Sequence, residues 1–277
     1  MTGRQSRKRL IAAEWLLLAV SVVFLYPLAL ALINSLKTMN DILMNMGSLP
    51  KEYVWSNYKT AWEVLDFPRA LTNSLAIDVF SVLGVTLISA MCAYQIVRRP
   101  GRFNHAMFGL FVASMVIPFH AIMIPLVQVL RELGMVNSLF GIVYAYWGLS
   151  LAFAIFLFHG FVKALPYEIE EAALVDGASI YSVFFRIVLP LLKPIAATVV
   201  IINALWIWND FLLPMIVLQG PDNRTIQVAI NTMFGQYMKR WDVALPGIVM
   251  SLAPSVLFFL LMQRQIVEGI SSGGIKG

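Results

Sequence analysis

Long apolar runs separated by short polar segments constrain this chain more than any other feature. Between Leu10 and Leu36 the only charge is Glu14, and between Leu191 and Leu218 the only charges are Lys193 and Asp210. A run of that length spans a bilayer as a helix, because backbone groups in hydrocarbon must pair within their own segment. Composition points the same way. Of the 277 residues 60% are hydrophobic and 13% charged, with a mean hydropathy of +0.79. Soluble domains carry about 25% charged residues. We therefore expect an all-α, polytopic membrane protein forming one transmembrane domain. Its six helices are expected at about residues 10–36, 70–97, 106–130, 138–162, 191–218 and 243–262.

Charge orients these spans. Met1 to Arg9 is basic and the first apolar run is too long for a signal peptide, with no small-residue cleavage site. It reads as an uncleaved first span with its N-terminus inside. The tight turn Arg98-Arg99-Pro100-Gly101-Arg102 is a strong cytoplasmic signal. With six spans both termini are cytoplasmic, and twelve of the 20 Lys and Arg residues fall on that side, as the positive-inside bias requires. The external segments are 37–69, 131–134 and 219–242, the first with Trp55, Tyr58 and Trp62 as interfacial anchors. The net charge of +5 then reports cytoplasmic loops and implies no nucleic-acid partner. Cys92 is the only cysteine, so no internal disulfide forms. His105, His120 and His159 lack ligand spacing, so no metal site is expected. Pro118, Pro125, Pro214, Pro246 and Pro254 are expected to break or kink spans three, five and six.

One polar interruption is organised. Glu168, Glu170, Glu171 and Asp176 lie between spans four and five, and cannot sit in hydrocarbon. Pro166 suits a first helical turn, and the acids behind it suit the helix dipole. Ile169, Ala172 and Ala173 are spaced to share a face. Asp176-Gly177 is a helix stop, Ser179 caps a second short helix from Ile180 to Val188, and Pro190 closes it. Residues 164–190 thus read as helix, tight turn, helix, with small residues at the turn.

At this point the chain resembles the permease subunits of ATP-binding-cassette importers. The spacing of Glu171, Ala172, Ala173, Gly177, Ile187, Leu189 and Pro190 matches the cytoplasmic coupling loop of that family. Ile117-Pro118, Ile124-Pro125-Leu126, Asn137-Ser138 and Trp208-Asn209-Asp210-Phe211 are similar to the sugar-importer permeases. The ending Gln263-Arg264-Gln265 to Gly277 resembles the maltose-importer type. The resemblance implies that Glu171, Ala172, Ala173, Asp176, Gly177, Ala178, Ile187, Leu189 and Pro190 couple to an ATPase dimer. It implies a second permease subunit and an extracytoplasmic sugar-binding protein as partners, beside membrane lipid. It implies the bacterial cytoplasmic (inner) membrane as location. It also implies that Gly220, Pro221, Asp222 and Asn223 touch the binding protein, and that the tail 263–277 runs along the ATPase.

Asn203, Trp206 and Asp210 share a helical face by spacing, and an aromatic ring with an amide and a carboxylate is sugar-binding chemistry. They are the expected substrate-pathway residues, with packing between spans as the competing reading for Trp206. Asp78 poses the same question in span two, or is solvated near the outer end. The chain has no Gly-x-x-x-x-Gly-Lys-Ser/Thr loop. It is therefore expected to be no enzyme and to bind no cofactor, with ATP and Mg2+ used by the partner ATPase. An ion-coupled secondary transporter, or an importer permease for a non-sugar solute, are the alternatives. A membrane-embedded enzyme would need a reactive constellation that is not visible.

Overall fold

The structure is a computed structural model that describes residues 2–235 and 239–273, and side chains from Leu10 to Gln265 except Ala12 and those of 236–238. Gly274 to Gly277, the end of the expected tail, lie outside the described residues. The described residues form helices joined by short turns and loops. Its one extended pairing among the described residues is an isolated antiparallel bridge between Phe234 and Lys239.

Two compact units divide the chain: Met1–Pro68 with Ala229–Ala253, and Arg69–Val228 with Pro254–Gly277. The first unit opens with α1 (Thr2–Ser35), whose apolar stretch is exposed along most of its length and is buried only at its end, at Asn34 and Ser35. Short helices α2 (Met39–Met44) and α3 (Ser56–Val64) follow. They are held by a polar network where no long apolar face exists. Asn57 Nδ2 donates to the carbonyls of Ser35 and Lys37 at 3.1 and 2.8 Å. The ammonium of fully buried Lys37 donates to the Asn45 carbonyl at 2.7 Å. Of the expected anchors, Trp55 and Trp62 are exposed, whereas Tyr58 shares a 2.7 Å hydrogen bond with Ser35.

The second unit is built around α7 (Leu139–Ala164). One buried cluster joins Ala154, Ile155, Phe158 and Val162 of α7 to Val85, Ala90 and Ala93 of α4 (Phe67–Arg98) and to Val183, Phe184 and Val188. A second joins Ile142, Ala145 and Tyr146 of α7 to Ile77 and Val82 of α4, and to Ala204, Ile207, Leu213 and Val217. Alanines at these contacts let helix backbones approach closely, which is how helices associate where lipid is as apolar as leucine.

Four helices are long and apolar enough to cross a membrane, and six spans result when two bent pairs each count as one. The expected span at 106–130 is such a pair, α5 (Arg102–Ser114) and α6 (Phe119–Glu132), bent by 111°. Pro118 is the cause. It holds φ −68° and ψ 140°, has no N–H to continue α5, and precedes the first residue of α6. The other prolines interrupt no helix. Pro125 lies within α6, Pro214 within α12 (Leu212–Val217), and Pro246 and Pro254 within α13 (Trp241–Gly273). Pro214 sits in a first turn, where the missing N–H has no intrahelical partner to lose.

The expected span at 191–218 is α11 (Lys193–Asn209) and α12, joined at Asp210, whose φ −70° and ψ 132° are extended. Pro190 does not close the second loop helix. Helices α9 (Ile180–Val183) and α10 (Leu189–Leu191) are joined by a π turn at Phe184–Val188, and the path bends 73° into α11 at Leu192. The wider π turn, with the Leu189 N–H donating to Phe184 O, takes a proline with little loss of helix hydrogen bonding.

Candidate functional site

The polar interruption forms a defined turn. α8 (Glu168–Val175) ends at Asp176, and Gly177 takes φ +85°, a left-handed conformation that costs L-residues with a Cβ. The Ala178 N–H then donates to Ala173 O at 3.0 Å and the Gly177 N–H to Leu174 O at 3.1 Å. This pair of bonds is the Schellman closure of a helix C-terminus. Ser179 Oγ accepts the Ser182 N–H at 3.2 Å and starts α9. Glu171, Ala172, Asp176 and Gly177 are exposed, Ala173 and Ala178 are half-buried against the first core cluster, Ile187 is half-buried in the π turn, and Leu189 and Pro190 lie in α10. Around the turn, Val175 is 86% exposed and Tyr181 75% exposed, with Ile169 and Ile180 also open.

The expected common face of Ile169, Ala172 and Ala173 is corrected by the structure: Ile169 and Ala172 point out, and Glu170 points in. Glu170 is only 2% exposed. Its Oε1 accepts Arg98 Nε at 2.8 Å and pairs with Arg98 Nη2 at 2.7 Å, and its Oε2 accepts the Tyr94 hydroxyl at 2.8 Å. Arg98 Nη2 also donates to Leu165 O at 3.1 Å, and its guanidinium lies 5.4 Å from the Tyr167 ring centre. A fork-shaped, permanently charged donor suits this many partners in a way lysine does not. Sequence reasoning passed over Glu170 and Arg98. The available signal was spacing, since Glu170 and Ala173 are three residues apart while Glu168 and Glu171 fall off that face.

The expected pathway residues separate. Trp206 and Asp210 are brought together by Tyr146 of α7, a residue that sequence reasoning missed. The Tyr146 hydroxyl donates to Asp210 Oδ2 at 2.9 Å, and its ring meets Trp206 edge-on at 5.7 Å. Asp210 Oδ1 accepts the Leu212 N–H at 3.0 Å, which starts α12. Trp206 is 44% exposed, whereas Asn203 is buried and its amide donates to Val199 O at 2.8 Å within its own helix. Asp78 is half-buried. It lines a mostly apolar cavity of about 320 Å³ with Leu75, Val82, Ala204, Trp208 and Phe258, and its Oδ1 is buried with no hydrogen-bond partner.

The segment 219–224 is a braced turn. The Gly220 N–H donates to Asn137 Oδ1 at 2.8 Å, and Asn223 Nδ2 donates to Asn137 O at 2.7 Å. Asn137 takes φ 58°, a left-handed conformation asparagine tolerates. Asp222 pairs with Arg69, and Asn73 Nδ2 donates to the carbonyls of Asp222 and Arg224 at 2.9 and 3.1 Å. Pro221 and Asp222 stay exposed. Among the described residues no three His, Cys, Asp or Glu side chains gather as a metal site needs.

An all-helical bundle with bent spans and one structured polar hairpin is the architecture of a multi-pass transport subunit. The chain belongs to the family of binding-protein-dependent transport system inner membrane components, matched over residues 85–270. It is 36% identical over 261 residues, 94% of each chain, to AmyC of Thermoanaerobacterium thermosulfurigenes, a permease protein named for transport of starch degradation products. It is 32% identical over 259 residues, 93% of this chain and 94% of the other, to the melibiose, raffinose and stachyose import permease MelC of Bacillus subtilis. Its fold is shared, at a TM-score of 0.81 and 23% identity over 95% of this chain and 98% of the other, with a chain in the crystal structure of a bacterial ABC transporter that imports the acidic polysaccharide alginate.

Proposed function

We propose that this chain is the membrane-spanning subunit of an ATP-driven importer for a sugar or oligosaccharide. A second permease subunit completes the pathway, an ATPase dimer binds the cytoplasmic side, and an extracytoplasmic binding protein delivers the solute. The sugar assignment is supported by relatives such as AmyC and MelC, whose names refer to starch products and to melibiose, raffinose and stachyose. The observation that carries the coupling role is the hairpin at 164–190. Its surface combines exposed Val175, Ile169 and Tyr181 with Glu171 and the Gly177 turn. Apolar side chains on a polar loop outside the spans are a surface that another protein covers.

Glu171 makes the polar contact with the ATPase, Ala172, Ala173, Asp176, Gly177 and Ala178 give a close fit, and Ile187, Leu189 and Pro190 fix the exit into α11. Both termini are cytoplasmic in this arrangement. ATP and Mg2+ act on the ATPase subunits, and this chain holds no cofactor. ATP binding closes the ATPase pair, draws the two coupling loops together and turns the spans outward, and hydrolysis resets them. Trp206 and Asp210, held by Tyr146, border the solute pathway, with Asn203 behind them. Gly220, Pro221, Asp222 and Asn223 present the braced turn to the binding protein. The test is affinity purification of the tagged chain from its native membrane in mild detergent. An ATPase and a second permease are expected with it, and recovery of this chain alone would overturn the reading.

A further inference from the structure

We propose that α4 is a rod clamped at both ends, by Arg98 and Tyr94 to the coupling turn and by Asn73 and Arg69 to the 219–224 turn, and that it carries the signal between ATPase and binding protein. The proposal rests on the docking roles given above for those two turns. It adds the residues and the helix that join them.

The inner clamp is short and closed. Both oxygens of Glu170 are occupied, Oε1 by the Arg98 fork and Oε2 by Tyr94, one helical turn earlier on the same face. Arg98 reaches the Leu165 carbonyl and the Tyr167 ring as well, so one guanidinium grips the hairpin at three places. The other exit from the hairpin is jointed, since it passes through a π turn and a 73° bend before α11. Motion of the turn therefore passes to α4 directly and to α11 through a hinge.

The outer clamp is made by the same helix. Asn73 donates to the carbonyls of both Asp222 and Arg224, Arg69 pairs with Asp222, and Ser74 Oγ accepts the Ile226 N–H at 3.0 Å. The clamps lie within one unbroken helix, Phe67–Arg98, of 32 residues, about 48 Å long at 1.5 Å per residue. No proline follows Pro68 in it, and its one glycine, Gly84, is packed under the Trp147 indole. A helix without a break moves as a body, whereas α5 with α6 and α11 with α12 do not.

The test uses the whole assembly in proteoliposomes, with ATP hydrolysis read with and without the binding protein beside solute uptake. Glu170→Gln, Arg98→Lys and Asn73→Ala are made in turn. None of these positions lies on a docking surface. All three assemblies should co-purify with the ATPase and keep their hydrolysis without binding protein. Stimulation by the binding protein should fall by about tenfold, the scale of an allosteric coupling energy, with uptake falling in parallel. Because the change at Asn73 is remote from the ATPase, the same phenotype from both ends is the signature of the rod. Unchanged stimulation in the Glu170→Gln assembly would overturn the proposal, as would loss of the ATPase from it, which would make Glu170 a docking residue. Where Glu170→Gln is absent from the membrane, the milder Arg98→Lys and Asn73→Ala decide by the same readout. Failure of the wild-type chain to bring down any ATPase would instead overturn the importer reading itself.

Discussion

The hydroxyl of Tyr146 on α7 is bonded to Asp210 at the one extended residue between α11 and α12, 2.9 Å away. The same carboxylate caps α12 through the Leu212 N–H. Asp210 thus holds two helix ends and a neighbouring helix, and Trp206 leans on the ring that holds it. Tyr146→Phe should lower stability by about 1–3 kcal/mol, the scale of a bond to a buried or charged acceptor. Thermal unfolding in detergent measures this. Uptake should fall too, because the break beside Trp206 loses its brace.

Asp78 presents the opposite case at one oxygen, Oδ1, which has no hydrogen-bond donor. Its buried Oδ1 faces an apolar cavity of about 320 Å³. A buried polar atom without a partner costs about 1–3 kcal/mol. Asp78→Leu should therefore raise the unfolding midpoint of the isolated chain. A lowered midpoint would show that the carboxylate is satisfied by a donor.

Much of this architecture was legible beforehand, and the misses share one cause. Apolar run length announces helices such as α4 and α7 because burial in lipid needs only hydrophobicity. The turn at Gly177 was equally readable, since φ +85° is where glycine is needed. Glu170, Arg98, Tyr146 and Asn137 escaped because their roles depend on which residue lies opposite, and that is set by packing between segments far apart in sequence. Asn203 is buried while Trp206 is exposed, a difference outside the reach of spacing, which gives a shared helix face but not which part of it is covered. Proline alone does not tell a break from an uninterrupted helix. A ring at 125, 214, 246 or 254 is accepted within a helix, and only Pro118, preceded by the helix end at Met115, marks a sharp break.

Gly177 separates backbone strain from surface fit. Nothing lies near the position a Cβ would take there, so only its left-handed φ opposes a side chain. Gly177→Ala should cost about 1–2 kcal/mol and keep much of the uptake. Gly177→Asp adds a charge to the docking face. It should leave the chain in the membrane while abolishing uptake and ATPase co-purification. Comparing membrane level, pull-down and uptake for the two variants checks this, and normal uptake by Gly177→Asp would count against docking at this turn.

Asp41 gives the polar segment before α3 a pH response. The Asn45 side-chain amide, bonded to its Oδ1 at 3.0 Å, is the main cause that holds the carboxyl below its ordinary value of 3.8, and the Lys51 N–H adds to it. A depressed folded value means that the carboxylate is stabilised by folding. That contribution is fully present above pH 3.8 and is lost as pH falls below it through the folded value. Amide protection factors over residues 38–52, corrected for the intrinsic pH dependence of exchange, should therefore fall on acidification in that window. Asp41→Asn should remove this fall in protection, and an unchanged acid response of the protection factors in that variant would refute the assignment.

Gly84 and Trp147 test how tightly α4 is seated on α7. A Cβ on Gly84 would run into the Trp147 indole, whose Nε1 donates to Phe80 O at 3.2 Å. Gly84→Ala forces the ring or the helix to shift, and overpacking of this kind costs about 1–3 kcal/mol. Trp147→Leu removes the ring and its hydrogen bond and is destabilising alone. In the double variant the methyl enters space the indole has left, so the two costs should not add, with a coupling of about 0.5–3 kcal/mol between touching residues. Unfolding midpoints for the four proteins close the cycle. Strict additivity would mean that the helices are not in contact there, and α4 would then be free to move without α7.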